Sequence, residues 1–115
     1  MTSPQLSEAT QRIAALNDLC RTAPGVGSRL VQTAGIAALS PADQSAIRER
    51  VEQFDAFTPE NDPHQERDFG AIEYGEVRVF WKIDYYDASG TYGSDDPSDA
   101  TQTLRVLTIM LASEY

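Results

Sequence analysis

The sequence predicts an α+β domain in which two N-terminal helices pack on one face of a small antiparallel sheet of about four strands. Three observations lead there. Apolar residues recur at helical spacing behind capping residues in the first half of the chain. A two-residue alternation runs through residues 77–86, and turn-forming residues separate the segments. Runs of helix followed by runs of strand segregate into a helical layer and a sheet layer.

The first helix spans about Ser7 to Arg21. Ala9, Ile13, Leu16 and Cys20 share one face, Ser7 caps the start and Pro24-Gly25 ends it. Cys20 on that face reads as a small core residue, because local spacing places no base or imidazole beside it to activate a thiolate. Arg29 to Ile36 reads as a short strand, with Leu30, Val31, Thr33 and Ile36 as strand formers. Ser40-Pro41-Ala42-Asp43 is a helix start: the serine caps, the proline suits the first helical position, and the aspartate suits the positive end of the dipole. That helix places Ile47, Val51 and Phe54 inward and ends near Ala56. Asp68 to Tyr74 is a strand, Gly75-Glu76 a tight reversal, and Val77 to Tyr86 the clearest strand of all. Val77, Val79, Trp81, Ile83 and Tyr85 face one way, and Arg78, Phe80, Lys82, Asp84 and Tyr86 the other. Thr103 to Ser113 is apolar on both faces, which suits a central strand.

The 115 residues make a single domain, 1–115, large enough to bury its own core. Eighteen acids oppose nine bases, a formal charge of -9. That balance disfavours direct binding to nucleic acid or to an anionic membrane. One cysteine excludes an internal disulfide and suits a reducing compartment. Met1 to Gln5 carries no leader pattern and no apolar run is long enough to span a bilayer, so the expected location is cytoplasmic. The charge is uneven. Residues 43–99 hold fifteen acids and five bases, a net of -10, and the rest of the chain nets +1. From Asp84 to Asp99 inclusive there are five aspartates and no base. Such a stretch either keeps a loop solvated or presents an acidic surface to a basic one. On the second reading the interaction surface comprises Asp84, Asp87, Asp95, Asp96 and Asp99, with Lys82 and Tyr86 from the polar face of the adjoining strand.

Two other constellations could carry chemistry. Asp62, His64, Glu66 and Asp68 alternate, and if extended would project oxygen and imidazole ligands to one side. Lys82 beside Asp84 could transfer a proton or bind an anion, or simply form a salt bridge on a wet sheet face. The acidic loop lacks the glycine and terminal glutamate of the twelve-residue calcium pattern. Gly25-Val26-Gly27 is too short to cradle phosphate and no Gly-Lys-Ser/Thr follows it. No cofactor is implied.

Several stretches carry a family resemblance together: Leu16-Asn17-Asp18, Thr33-Ala34-Gly35-Ile36, Asn61-Asp62-Pro63, Asp68-Phe69-Gly70, Phe80 to Asp87, and Arg105 to Ala112. The most specific is Trp81-Lys82-Ile83-Asp84-Tyr85-Tyr86-Asp87. From about Ala14 to Tyr115 the chain resembles a family of small bacterial proteins known only as a domain of unknown function. The resemblance implies a mostly alphaproteobacterial distribution, on plasmids and integrative elements beside conjugation and anti-restriction genes. It implies no activity, cofactor or catalytic residue. Relatives often carry His at the position of Arg67, so a cation stands here where a ligand would.

The expected function is therefore a non-enzymatic interaction protein. Its acidic middle would imitate nucleic acid and occupy the groove of a basic host defence protein, a CRISPR or restriction component. The alternative is a small metal-dependent enzyme built on Asp62 to Asp68 with Lys82 and Asp84.

Overall fold

The computed structural model describes residues 6–25 and 27–115; Met1 to Gln5, read above for a leader, and Val26 lie outside the described residues. Helix α1 spans Glu8–Thr22, strand β1 Ser28–Gln32, helix α2 Ala34–Ala37 and helix α3 Pro41–Glu52. Strands β2 (Phe69–Tyr74), β3 (Val77–Asp87) and β4 (Thr103–Leu111) follow, and a 3-10 turn closes the chain at Ala112–Glu114. The class is α+β, as the sequence predicts. The sheet is mixed, however, not antiparallel: its order is β1-β4-β3-β2, with β1 parallel to β4 and the other two pairs antiparallel. The chain reaches β4 from β1 only after two helices and a hairpin, so β1 enters beside β4 in the same direction. β4 is indeed central, flanked on both sides, which explains its apolar character on both faces.

Both long helices start where their caps dictate. Ser7 accepts from the Thr10 amide and Ser40 from the Asp43 amide, each satisfying one of the free donors of a first turn. The second helix stops at Glu52, short of Ala56, with Phe54 and Phe57 beyond it turned back over Trp81. The segment expected as a strand to Ile36 breaks after Gln32. The Glu114 carboxylate reaches back to the Gly35 amide and the Thr33 hydroxyl, so residues 34–37 coil into a short third helix. A local pattern of strand formers is overridden there by a carboxylate eighty-one positions away.

The core lies between the helices and one face of the sheet. Cys20 of α1, Ile36 of α2, and Ile47 and Val51 of α3 close over Ile72, Val79, Trp81, Ile83, Leu107 and Ile109. Each large apolar side chain so buried contributes about 1.5–3 kcal/mol. Trp81 is fully buried, edge-on to Phe54 and Phe57 at centroid distances of 5.4 and 6.1 Å. Gly70 sits opposite it across the β2–β3 ladder, and a side chain there would run into the indole. Gly75 adopts φ 58° in the two-residue turn of that hairpin, a left-handed conformation that glycine takes at little cost. The other sheet face carries Phe69, Phe80 and Tyr115 as an aromatic cluster, beside the paired charges of Arg78 with Glu73 and Lys82 with Asp84.

Candidate functional site

Beneath α1 lies a buried polar network. Asn17 follows Ile13 by one turn, on the face that α1 turns toward the sheet, and is completely buried. Its amide nitrogen donates to the Glu66 carbonyl at 2.9 Å and to the Tyr85 hydroxyl at 2.7 Å. Its amide oxygen accepts from Arg105 Nε at 2.7 Å. Tyr85 in turn donates to Glu66 Oε1 at 2.8 Å, and Arg105 Nη2 donates to the Pro97 carbonyl at 2.5 Å. One asparagine thus ties together α1, the segment before β2, both central strands and the acidic loop. Burial pushes the Tyr85 phenol far above its usual range, aided by the Glu66 carboxylate, so it stays protonated and keeps donating. Burial also lowers the affinity of Arg105 for its proton and raises the Cys20 thiol. Burial thus favours the protonated thiol of Cys20, although Arg105, Ser28 and Arg21 pull the other way.

A second cluster sits one turn further along α1. Buried Arg21 donates from Nε to the Val51 carbonyl at 3.1 Å and lies over the Trp81 and Phe57 rings. Asp18 holds it at 3.1 Å and holds Arg67 at 2.9 Å with its other oxygen. These residues fasten α1 to α3 and to the segment before β2.

Between α1 and the start of β4 the structure opens into a cavity of about 270 Å³. Leu16, Leu19, Ala23 and Cys20 form its apolar wall, and Thr103 and Arg105 its polar floor.

The residues expected to form an interaction surface fall into two groups. Lys82, Asp84 and Tyr86 stand on the open sheet face, where Lys82 and Asp84 form an ion pair at 3.0 Å. That pair raises the Lys82 ammonium above its usual value, the direction expected of a salt bridge and the opposite of what a proton-transfer lysine needs. Asp87, Asp96 and Asp99 each organise their own loop. Asp87 accepts from the Ser89 hydroxyl and Thr91 amide, Asp96 from the Ser98 amide and hydroxyl, and Asp99 from the Thr101 amide and hydroxyl. These bonds hold the Asp87 and Asp99 carboxyls below the ordinary range and keep them ionised. Asp95 is exposed.

The segment from Asp62 to Asp68 is a series of turns, not an extended strand. Thr58 and Asn61 bond reciprocally, and Gln65 and Arg67 adopt φ of 58° and 57°, which destroys the alternation. Asp62 is buried and accepts from the Arg67 amide; Glu66 turns in to Tyr85, while His64 is exposed. Burial raises the Asp68 carboxyl. Among the described residues no three His, Cys, Asp or Glu side chains are grouped to hold a metal ion. Nor does any described helix have the length and apolarity to cross a membrane.

The topology does bring the two acidic segments together. Ile83 donates to the Asp68 carbonyl and Ser94 to the Tyr85 carbonyl, so both segments flank the last residues of β3. Asp87, Asp95, Asp96 and Asp99 therefore lie at and beyond the end of β3, while Asp84 stands on the open sheet face and Glu66 turns in to Tyr85. Sequence reasoning missed Asn17, Tyr85 and Arg105. The one available signal was a polar residue in phase with Ile13 and Cys20 on an otherwise apolar stripe.

Comparison with known proteins finds one family. The profile described as "Protein of unknown function (DUF3768)" matches residues 32–114, from the end of β1 to the last turn. No curated protein and no solved structure matches the chain. The matched span includes every strand but β1 and both strand partners of the buried network, and on that match the chain belongs to the DUF3768 family of unknown function.

Proposed function

We propose that this protein is a non-enzymatic interaction protein whose acidic end meets a basic, nucleic-acid-binding surface of a host defence protein, as an inhibitor of CRISPR or restriction carried on a bacterial mobile element. It acts in the cytoplasm, where such partners work. The supporting observation is the fate of the fifteen acids in residues 43–99. Among the described residues, only Glu73 and Asp84 of these form ion pairs with a base of the chain. The excess is not neutralised internally, and Asp87, Asp95, Asp96 and Asp99 follow one another at and beyond the end of β3. Duplex DNA presents about one charge per 1.7 Å, so a mimic needs closely spaced carboxylates held in fixed positions. The Asp87, Asp96 and Asp99 turns hold theirs by hydrogen bonds to adjoining backbone, which lowers the ordering cost of binding.

The experiment is affinity capture from nuclease-treated bacterial lysate at low ionic strength, followed by elution with salt. The expected eluate contains a basic nucleic-acid-binding protein that duplex DNA competes off the resin. Recovery of none at low salt would refute the reading.

A further inference from the structure

The cavity beneath α1 carries an inference independent of the acidic surface. Arg105 is 4% exposed and forms no ion pair among the described residues. Its hydrogen bonds go to neutral oxygens, Asn17 Oδ1 and the Pro97 carbonyl, and the nearby Glu66 carboxylate is engaged by the Tyr85 hydroxyl. A buried cation without a carboxylate partner is costly, and proteins seldom keep one without a use. The guanidinium spends the hydrogen of Nε and one of Nη2, so both hydrogens of Nη1 and one of Nη2 have no partner. Among the described residues, Trp81 Nε1 is the buried side-chain polar atom that is sealed off with no partner. Nη1 is not sealed, so it reaches accessible space, and the space that Arg105 borders is the cavity.

We propose that this cavity binds a small monocarboxylate with a short apolar tail, its carboxylate on the unpartnered hydrogens of Arg105 and its tail against Leu16, Leu19 and Ala23. The planar fork matches the two oxygens of a carboxylate. A volume of about 270 Å³ lies at the low end of small-molecule sites and suits a ligand smaller than a drug, such as hexanoate. The wall is apolar and Cys20 is a neutral thiol at the pH of the cell, so no second anion competes for the floor. For so small a ligand the dissociation constant should be on the order of 1 mM.

Titration of the full chain with hexanoate, followed by NMR of the Arg105 Nε–H and the Cys20 amide, tests this. Saturable shifts at both sites are expected, with hexanol and inorganic phosphate giving none. Arg105→Gln should weaken the response about tenfold or more, the loss of a charged hydrogen bond. That variant risks the fold, so Ala100→Trp, at an exposed position on the cavity lining, provides a second check and should abolish the shifts with melting temperature unchanged. Absence of a saturable response, an equal response to hexanol or phosphate, or a hexanoate response that survives Ala100→Trp would each overturn the assignment and leave Arg105 as a structural strut.

Discussion

Asn17 and Arg105 stand eighty-eight positions apart in the chain and meet at 2.7 Å in its interior, the amide oxygen of one accepting from Nε of the other. This bond closes the network that joins the helical layer to the central strands. Asn17 and Arg105 are buried and Tyr85 and Glu66 partly so, and a polar group that loses its partner there is poorly compensated by water.

Replacing Asn17 with Ala removes bonds to Glu66, Tyr85 and Arg105 at once. The expected loss is about 3 kcal/mol of unfolding free energy, measured by urea denaturation. Tyr85→Phe keeps the ring under the Arg105 guanidinium and removes only the hydroxyl, so its loss should be smaller, about 1–2 kcal/mol.

Gly70→Ala should destabilise by about 2 kcal/mol or more, because a β-carbon there meets the tip of Phe54 and the indole of Trp81, which is fully buried. A changed near-ultraviolet dichroism of Trp81 should accompany the loss. An unaltered signal and stability would show that the packing around the indole is looser than described.

The opposite holds for the pair on the open sheet face. Lys82 and Asp84 are each more than a third exposed, and solvent screens their attraction. Lys82→Ala should change stability by less than about 0.5 kcal/mol.

Glu114 links the last turn to α2, and its bonds to Thr33, Leu111 and Gly35 hold its carboxyl below the ordinary value of 4.5. A carboxyl lowered by folding adds stability that is complete above its unfolded value and disappears as pH falls through its folded one. The stability difference between wild type and Glu114→Gln should therefore be constant at neutral pH and shrink below about pH 4.5, as denaturation across that range would show. A difference that grows on acidification contradicts the assignment.

The sequence made the alternation of β3 legible, because Val79, Trp81 and Ile83 are large apolar residues separated by polar ones and the core demands one face. The caps at Ser7 and Ser40 were legible for the same local reason. The parallel pairing of β1 was not, since direction is set by where the chain returns and no residue in β1 encodes it. Residues 34–37 misled because Glu114, remote in sequence, decides their conformation. The candidate site was legible only in part. Clustering of aspartates was visible, but not which would bond their own loops, nor that a turn at Gln65 and Arg67 would scatter the Asp62 to Asp68 ligands. The buried network stayed hidden because Asn17 and Arg105 look like surface residues until the packing that buries them is known.

The most direct measurement is competition at the acidic end. A nucleic-acid-binding defence protein captured by the chain should lose its grip on duplex DNA as the chain is added, and added salt should weaken that inhibition steeply. Asp95→Lys, at an exposed position whose carboxylate holds none of the loop's turns, should weaken inhibition while leaving the fold intact. Inhibition undiminished by this variant, or insensitive to salt, would contradict the account.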